Sequence, residues 1–293
     1  MNKVYFLLFS LVVICTLAIV AASRFHSPLP SSVKPKVGVT IYALYDITHS
    51  IAGDKMETVL LLPPGASPHT YEPDPTLLQK LAGAKTVFRI GYGIDDWVMP
   101  IVQSQHIETM RVDNNVNLII EQGTTDPHYF LSLRNMPIIA RNILNRLILL
   151  DPANKDYYES RYQMYTRKAI DADSRLKLQM ATSINTNVVT LHDAWKYLSR
   201  DYNLHIVGSF EPEGKEIKPQ ELATLNEAIK NNNIKVVFSE PSLSSSVLEN
   251  YARDNKLVIK KINPLESIGD YNSSYISILE SNIQTIYNAL KTP

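Results

Sequence analysis

Short apolar runs alternate with amphipathic stretches along the chain from residue 36 onward. The runs are nearly continuous in apolar character and rich in β-branched residues, which is typical of strands buried on both faces of a parallel sheet. They form two sets, at 37–44, 57–62, 86–90 and 117–120, and at 187–191, 205–209, 235–239 and 258–262. Helical periodicity lies between them, for example at 75–84, 220–231 and 244–255. This alternation predicts an α/β protein with two lobes, each containing a parallel sheet flanked by helices.

A long segment without a strand pattern separates the two sets. A helical pattern spans 132–150 and ends at Asp151-Pro152, and a second pattern continues to about residue 180 without Gly or Pro. This second helix is about 42 Å long at 1.5 Å per residue. Because it is polar on most faces, it is typical of a rigid strut between two bodies. The sequence therefore predicts an N-terminal lobe at 36–150, a linker helix at 151–182 and a C-terminal lobe at 183–293.

The first 22 residues have the pattern of an export segment. Lys3 is the only charged side chain there, and residues 4–22 are mostly apolar. The pattern is typical of a signal peptide or an uncleaved N-terminal membrane anchor. Residues 23–35 form a tether rich in Pro and Ser. We therefore expect an exported protein, in the periplasm or at the outer face of the cytoplasmic membrane.

Composition narrows the classes of binding site. The chain has 29 basic and 29 acidic side chains, and this zero net charge argues against a nucleic-acid partner. Its single cysteine, Cys15, lies in the export segment. One thiol excludes an intramolecular disulfide and any multi-thiolate zinc or iron–sulfur site. A metal site must therefore consist of histidines and carboxylates, in a protein that we expect to be a monomer.

Three of the seven histidines, His69, His128 and His192, lie on loops that directly follow predicted strands. Ligands of open α/β sheets bind beyond the carboxyl ends of the strands, and a two-lobed protein has its cleft there. The remaining histidines lie in the tether or within helix and strand patterns: His26, His49, His106 and His205. The position of the first three predicts that they meet in the cleft.

Three imidazoles and one carboxylate would complete a tetrahedral zinc shell. A closed shell of this kind holds an ion, whereas a catalytic zinc keeps one position open for water. If the ion bridges the two lobes, the carboxylate comes from the second lobe. Glu240 and Glu266 both follow predicted strands there, so the residues alone leave two candidates for the fourth ligand.

Four segments carry a family resemblance: LLPPGASPHTYEPDP, DPHYFLSL, LHDAWKYLSRDYNL and FSEPSLSS. They resemble the zinc- and manganese-binding proteins of bacterial ABC-type metal importers, in order and with fitting spacing, within residues 37–290. The resemblance implies two lobes linked by a long helix. It also implies capture of a divalent ion outside the cytoplasmic membrane and its delivery to an ABC-type metal permease.

In the resemblance, His69, His128 and His192 match the first three ligand positions. Members that resemble manganese-binding types carry Glu at the third position, so His192 favours Zn²⁺ over Mn²⁺ as the transported ion. We also expect Asp126 or Asp193 to orient a ligand histidine through its second ring nitrogen.

The fourth ligand position departs from the commoner pattern. Many members have Asp where this chain has Asn263, whose amide is a poor metal ligand. A zinc-binding subgroup has Asn-Pro-Leu-Glu-Ser at this place, with the Glu as the ligand. The resemblance therefore implies Glu266 as the fourth ligand, with Glu240 as the second choice.

Two other classes of function compete with metal capture. A zinc-dependent hydrolase needs an open coordination position and a general base, and the chain lacks the His-Glu-x-x-His and Gly-x-Ser-x-Gly motifs. A metal-free adhesin or scaffold could use the same fold. We expect a binding protein that is not an enzyme.

Overall fold

The computed structural model describes residues 34–211, 218–241, 246–267 and 273–291. The predicted export segment and all but the end of the predicted tether lie outside the described residues. The described residues from Pro35 onward belong to one compact unit. None of the described helices combines the length and the apolar character that crossing a bilayer requires.

Two four-stranded parallel sheets form the framework of the protein. The first contains β1 (Lys36–Val39), β2 (Glu57–Leu60), β3 (Ala84–Arg89) and β4 (Glu108–Arg111), in the order β2-β1-β3-β4. A small antiparallel hairpin follows, made of β5 (Ile120–Glu121) and β6 (Thr124–Thr125). The second sheet contains β7 (Asn187–His192), β8 (His205–Glu211), β9 (Val236–Ser239) and β10 (Val258–Lys261), in the order β10-β9-β7-β8.

Helices flank both sheets. They are α1 (Tyr42–Ala52), α2 (Thr76–Leu81), α3 (Met99–Ser104), α4 (Met136–Leu150), α5 (Lys155–Met180), α6 (Lys196–Tyr202), α7 (Pro219–Asn231), α8 (Ser246–Asp254) and α9 (Tyr275–Leu290). The predicted fold class, two lobes with parallel sheets flanked by helices and joined by a long helix, is confirmed. The first lobe is the part of the chain around the first sheet, and the second lobe is the part around the second sheet.

The prediction of the last strand in the first sheet was wrong. Residues 117–120 are not a buried strand, and Ile120 is 64% exposed in the hairpin. The fourth strand is β4, which lies beside β3 at the edge of the sheet and carries charged residues at both ends. Charged side chains are common on edge strands because they discourage pairing with other chains. Such a strand has no apolar run, so hydrophobic patterning could not reveal it.

The long helix α5 is not the detached polar strut that its sequence suggested. Its buried face includes Tyr158, Tyr165 and Leu176, and the helix packs against α1, α4 and α9. The tyrosines make the pattern look polar, but their rings are buried while their hydroxyls bind carboxylates, as Tyr165 does with Asp46. One hydrophobic core therefore continues through both lobes along this helix.

The loop after β10 is held by both lobes. The Asn282 side chain on α9 accepts a hydrogen bond from the Asn263 amide at 2.8 Å and donates to the Asn263 carbonyl at 2.7 Å. On the other side, the Tyr42 amide at the start of α1 donates to the Glu266 carbonyl at 2.9 Å. The backbone around Glu266 is thereby placed before any ligand arrives.

Replacing Asn282 tests this support. Asn282→Ala leaves the partly buried amide and carbonyl of Asn263 without their partners, and we expect it to lower the free energy of unfolding by about 1–3 kcal/mol. Chemical denaturation followed by circular dichroism measures the change. The matched control is Asn288→Ala, since Asn288 is exposed on the same helix and its hydrogen bond with Gln284 spans a single turn. Equal stability of the two variants would contradict the assigned role of Asn282.

Candidate metal site

A cavity of about 470 Å³ lies where the carboxyl ends of the two sheets meet. His69, His128 and His192 contribute to its wall. One nitrogen of each of these histidines and one carboxylate oxygen of Glu266 all lie within 4.8 Å of one another. The structure thus brings together the four residues that the sequence placed first as ligands, two from each lobe.

Three of the four candidate atoms are separated much as in a tetrahedral shell. Nε2 of His69 lies 3.4 Å from Nε2 of His128 and 3.3 Å from Oε1 of Glu266, and the distance from His128 Nε2 to Glu266 Oε1 is 3.8 Å. Ligand atoms about 2.0 Å from a tetrahedral ion are roughly 3.3 Å apart. These three atoms therefore need little movement to bind one ion. The nitrogen of His192 lies within 4.8 Å of the other three atoms and completes the group from the second lobe.

Three of the ligand candidates lie at or after the ends of parallel strands. His69 lies on the loop between β2 and α2, and it is the exposed member of the group. His192 is the last residue of β7, and Glu266 follows β10. The carboxyl ends of parallel strands direct such segments to a common place. His128 instead begins a short 3₁₀ turn, His128–Phe130, after the antiparallel hairpin.

Asp126 orients His128, as one of the two sequence alternatives proposed. Oδ1 of Asp126 lies 3.0 Å from His128 Nδ1 and also accepts the His128 amide at 2.8 Å. A hydrogen bond from Nδ1–H leaves the lone pair of Nε2 free for a metal. The other alternative, Asp193, lies 3.1 Å from Lys196 Nζ.

Glu240 lies behind His192 and outside the four-atom group. Its Oε1 is 3.3 Å from His192 Nδ1, and the residue is 1% exposed. The sheet order explains this contact, because β9 pairs with β7 and the residue after β9 therefore meets the end of β7. From the sequence, Glu240 was only the second choice for a metal ligand, and its contact with His192 was not predicted. The signal for this contact is the pairing of β7 with β9, which hydrophobic patterning does not reveal.

The pKa shifts of this pocket have two causes, burial and the charges of neighbouring groups. Burial lowers the pKa of the His128 imidazole. Burial alone would also lower the pKa of His192, but the hydrogen bond and charge of Glu240, with the charge of Glu266, outweigh it and raise this pKa. Burial would raise the pKa of Glu266, yet the surrounding imidazoles, His69 foremost, lower it. The carboxylates therefore favour positive charge at the centre of the group.

One carboxylate oxygen of Glu266 is buried among the imidazoles of this pocket. Oε1 of Glu266 lies 3.3 Å from Nε2 of His69 and 3.8 Å from Nε2 of His128, which are themselves candidate metal donors. A buried carboxylate needs compensation of its charge, and a metal ion between these atoms would supply it. Together with the imidazole nitrogens, this oxygen makes a closed donor set that is suited to holding an ion.

Comparisons with known proteins place this chain in a family. The family model of the periplasmic zinc-uptake complex component A matches residues 37–289. The metal ABC transporter substrate-binding lipoprotein SsaB of Streptococcus sanguinis is 30% identical over 99% of each chain. The manganese ABC transporter substrate-binding lipoprotein PsaA of Streptococcus pneumoniae is 29% identical, over 93% of this chain and 94% of its own.

Solved structures agree with this placement. FpvC of Pseudomonas aeruginosa, in complex with Mn²⁺, has a TM-score of 0.79 at 28% identity and covers 88% of this chain and 99% of its own. A crystal structure of ZnuA has a TM-score of 0.79 at 26% identity, with coverage of 88% and 100%.

These relatives are substrate-binding proteins, which pass a ligand to a membrane permease and catalyse no reaction. The hydrolase alternative is thereby removed, and the location outside the cytoplasmic membrane agrees with the one expected from the sequence. The chain belongs to the family of the periplasmic zinc-uptake complex component A, the extracytoplasmic metal-binding components of ABC-type importers.

Proposed function

We propose that the protein captures Zn²⁺ with His69, His128, His192 and Glu266 and delivers it to an ABC-type permease in the cytoplasmic membrane. The observation that carries this proposal is the convergence of four donor atoms within 4.8 Å. The proposed division of the chain is an N-terminal lobe at 36–150, a linker at 151–182 and a C-terminal lobe at 183–293. Each lobe then supplies two ligands, so an ion in the site bridges both lobes of a monomer.

The donor set supports zinc over manganese as the cargo. Imidazole suits zinc, whereas manganese prefers oxygen-rich shells. The relatives include proteins named for manganese and for zinc, so their names do not separate the two ions. The choice rests on His192, which provides a third nitrogen.

Orientation of the imidazoles supports high affinity. Asp126 and Glu240 lie against the Nδ1 atoms of His128 and His192, at 3.0 and 3.3 Å. Zn²⁺ would bind through the opposite nitrogens without waiting for the rings to turn. Because the fold already orders these rings, less side-chain entropy is lost when the ion binds. Hydrogen bonds to ligand histidines commonly have this effect.

Removing a ligand should abolish tight binding. We expect His69→Ala, His128→Ala, His192→Ala and Glu266→Gln each to weaken Zn²⁺ affinity by about a hundredfold or more, since even loss of a supporting residue costs 10–100-fold. Competition with a fluorescent zinc chelator measures the affinity. The control is His205→Ala, because His205 is exposed at the start of β8. Wild-type affinity in His69→Ala and His192→Ala would refute the proposed site, and absence of zinc binding in the wild type would favour a metal-free scaffold.

Glu240 and Glu266 should differ in their effects. Glu240→Gln keeps all four donors and weakens only the support of His192, so we expect a loss of about 10–100-fold with one Zn²⁺ still bound. Glu266→Gln should reduce affinity more. X-ray absorption spectroscopy of the zinc-loaded protein provides a second measurement, since the shell should keep its oxygen donor in Glu240→Gln. If Glu240→Gln lost more Zn²⁺ affinity than Glu266→Gln, Glu240 would be the ligand and Glu266 the supporting residue.

The third nitrogen ligand should set the ion preference. His192→Glu replaces nitrogen by oxygen, and we expect the ratio of Zn²⁺ to Mn²⁺ affinity to fall by at least about tenfold. Titration with each metal, and with both in competition, measures the ratio. His69→Glu tests whether the effect belongs to this position or to any change in the donor count. An unchanged ratio in His192→Glu would show that the donor type does not decide the cargo.

A further inference from the structure

The hairpin β5–β6 lies at the mouth of the metal-site cavity. Glu121, Gln122, Thr124 and Thr125 line the cavity together with the ligand histidines, and Lys196 of α6 lines it from the second lobe. The three ligand histidines line the same cavity, and two of them, His128 and His192, are buried, whereas Glu121 is exposed. An ion that enters or leaves by this opening therefore passes between the hairpin and Lys196.

Lys196 joins carboxylates from both lobes at this mouth. Its Nζ lies 3.0 Å from Oε2 of Glu121 on the hairpin and 3.1 Å from Oδ2 of Asp193 on its own lobe. Oδ2 of Asp126 is 3.9 Å away, and the other oxygen of Asp126 binds His128. One ammonium group thus contacts the neighbours of two metal ligands and closes the gap between the lobes.

The base of the hairpin is attached to the same helix more firmly. The hydroxyl of Tyr197 accepts a hydrogen bond from the Ile119 amide and donates to the Asp126 carbonyl, both at 2.9 Å. Arg200 donates to the Asn117 carbonyl at 2.9 Å. Tyr197 is fully buried, whereas the Glu121 side chain is 60% exposed. The base is therefore suited to staying in place while the outer contact breaks and re-forms.

We propose that Lys196 is a positioning residue that holds the hairpin over the metal site through Glu121 and so limits the rate at which the ion leaves. This inference rests on the proposed function, because it concerns the same ion and the same cavity. An exposed ion pair contributes little to stability, which suits a contact that must break in each round of capture and delivery. The Lys196–Glu121 ion pair can nevertheless limit the rate of ion release, because the lobes cannot separate at the mouth until this pair breaks.

The test is the rate of zinc release from the purified full-length chain. The protein is loaded with Zn²⁺ and mixed with an excess of a chromophoric chelator in a stopped-flow instrument. We expect Glu121→Gln to release zinc about two- to fivefold faster than the wild type, the range of an exposed ion pair. Lys196→Met, which loses every contact of the ammonium, should be about tenfold faster. In a double-mutant cycle the two effects should not add, because both remove the same pair.

Controls separate this role from a general loss of structure. Lys196→Arg keeps the charge and should release zinc at close to the wild-type rate. Glu159→Gln removes an exposed pair with Lys155 on α5, away from the site, and should have no effect. A salt concentration of about 1 M should accelerate the wild type toward the rate of Glu121→Gln, because salt screens exposed charges. Unfolding midpoints of Glu121→Gln and the wild type should agree.

The outcomes are distinct for the two proposals. If the wild type binds zinc but Glu121→Gln and Lys196→Met release it at the wild-type rate, the role of Lys196 is overturned and the proposed function stands. Equal acceleration in Lys196→Arg and Lys196→Met also overturns it, since packing rather than charge would then be responsible. If the wild type binds no zinc, both proposals fail.

Discussion

The first turn of α1 depends on carbonyl groups from the other lobe. Ile41 provides no side-chain cap, and the amides of Tyr42 and Ala43 donate instead to the carbonyls of Glu266 and Leu265, at 2.9 and 3.0 Å. The amides at a helix N-terminus need hydrogen-bond acceptors. The same two hydrogen bonds therefore join the lobes and fix the position of the Glu266 backbone. Leu265 has a φ of 60° with a fully buried side chain, a strained arrangement that costs about 1–3 kcal/mol and persists only where surrounding contacts enforce it.

The charges around the site follow from the same contact. Buried carboxylates are tolerated only when they are paired, and here each lies against an imidazole: Asp126 with His128, Glu240 with His192 and Glu266 with His69. The pairing holds the rings in place. Because an imidazole binds a metal in its neutral form, the three carboxylates then make the centre favourable for a cation. Structural support and ion binding thus use the same residues, which explains how so polar a cluster lies within a continuous hydrophobic core.

Prediction from sequence succeeded where burial leaves a clear pattern. The run at 187–191 was visible because β7 has neighbours on both sides in its sheet. Edge strand β4 was not visible, because its charged ends break the pattern. The pattern of α5 misled for a related reason: its tyrosines count as polar, although their rings are buried in the core. A hydrophobic pattern shows only how apolar a helix face is. It misleads when an amphipathic side chain such as tyrosine buries its ring in the core while its hydroxyl forms a hydrogen bond nearby.

The sequence by itself determined the α/β class and the thiol-free donor set, and it singled out His69, His128 and His192, although the strand predicted before His128 was wrong. Only the tertiary structure decided that Glu266 lies among them while Glu240 lies behind His192, and that Lys196 spans the mouth. The reason is physical. Local periodicity specifies the type and burial of each element. Which loops meet, when they are far apart in the chain, depends on the strand order and on the contact between the lobes. Here the strand order places β9 beside β7.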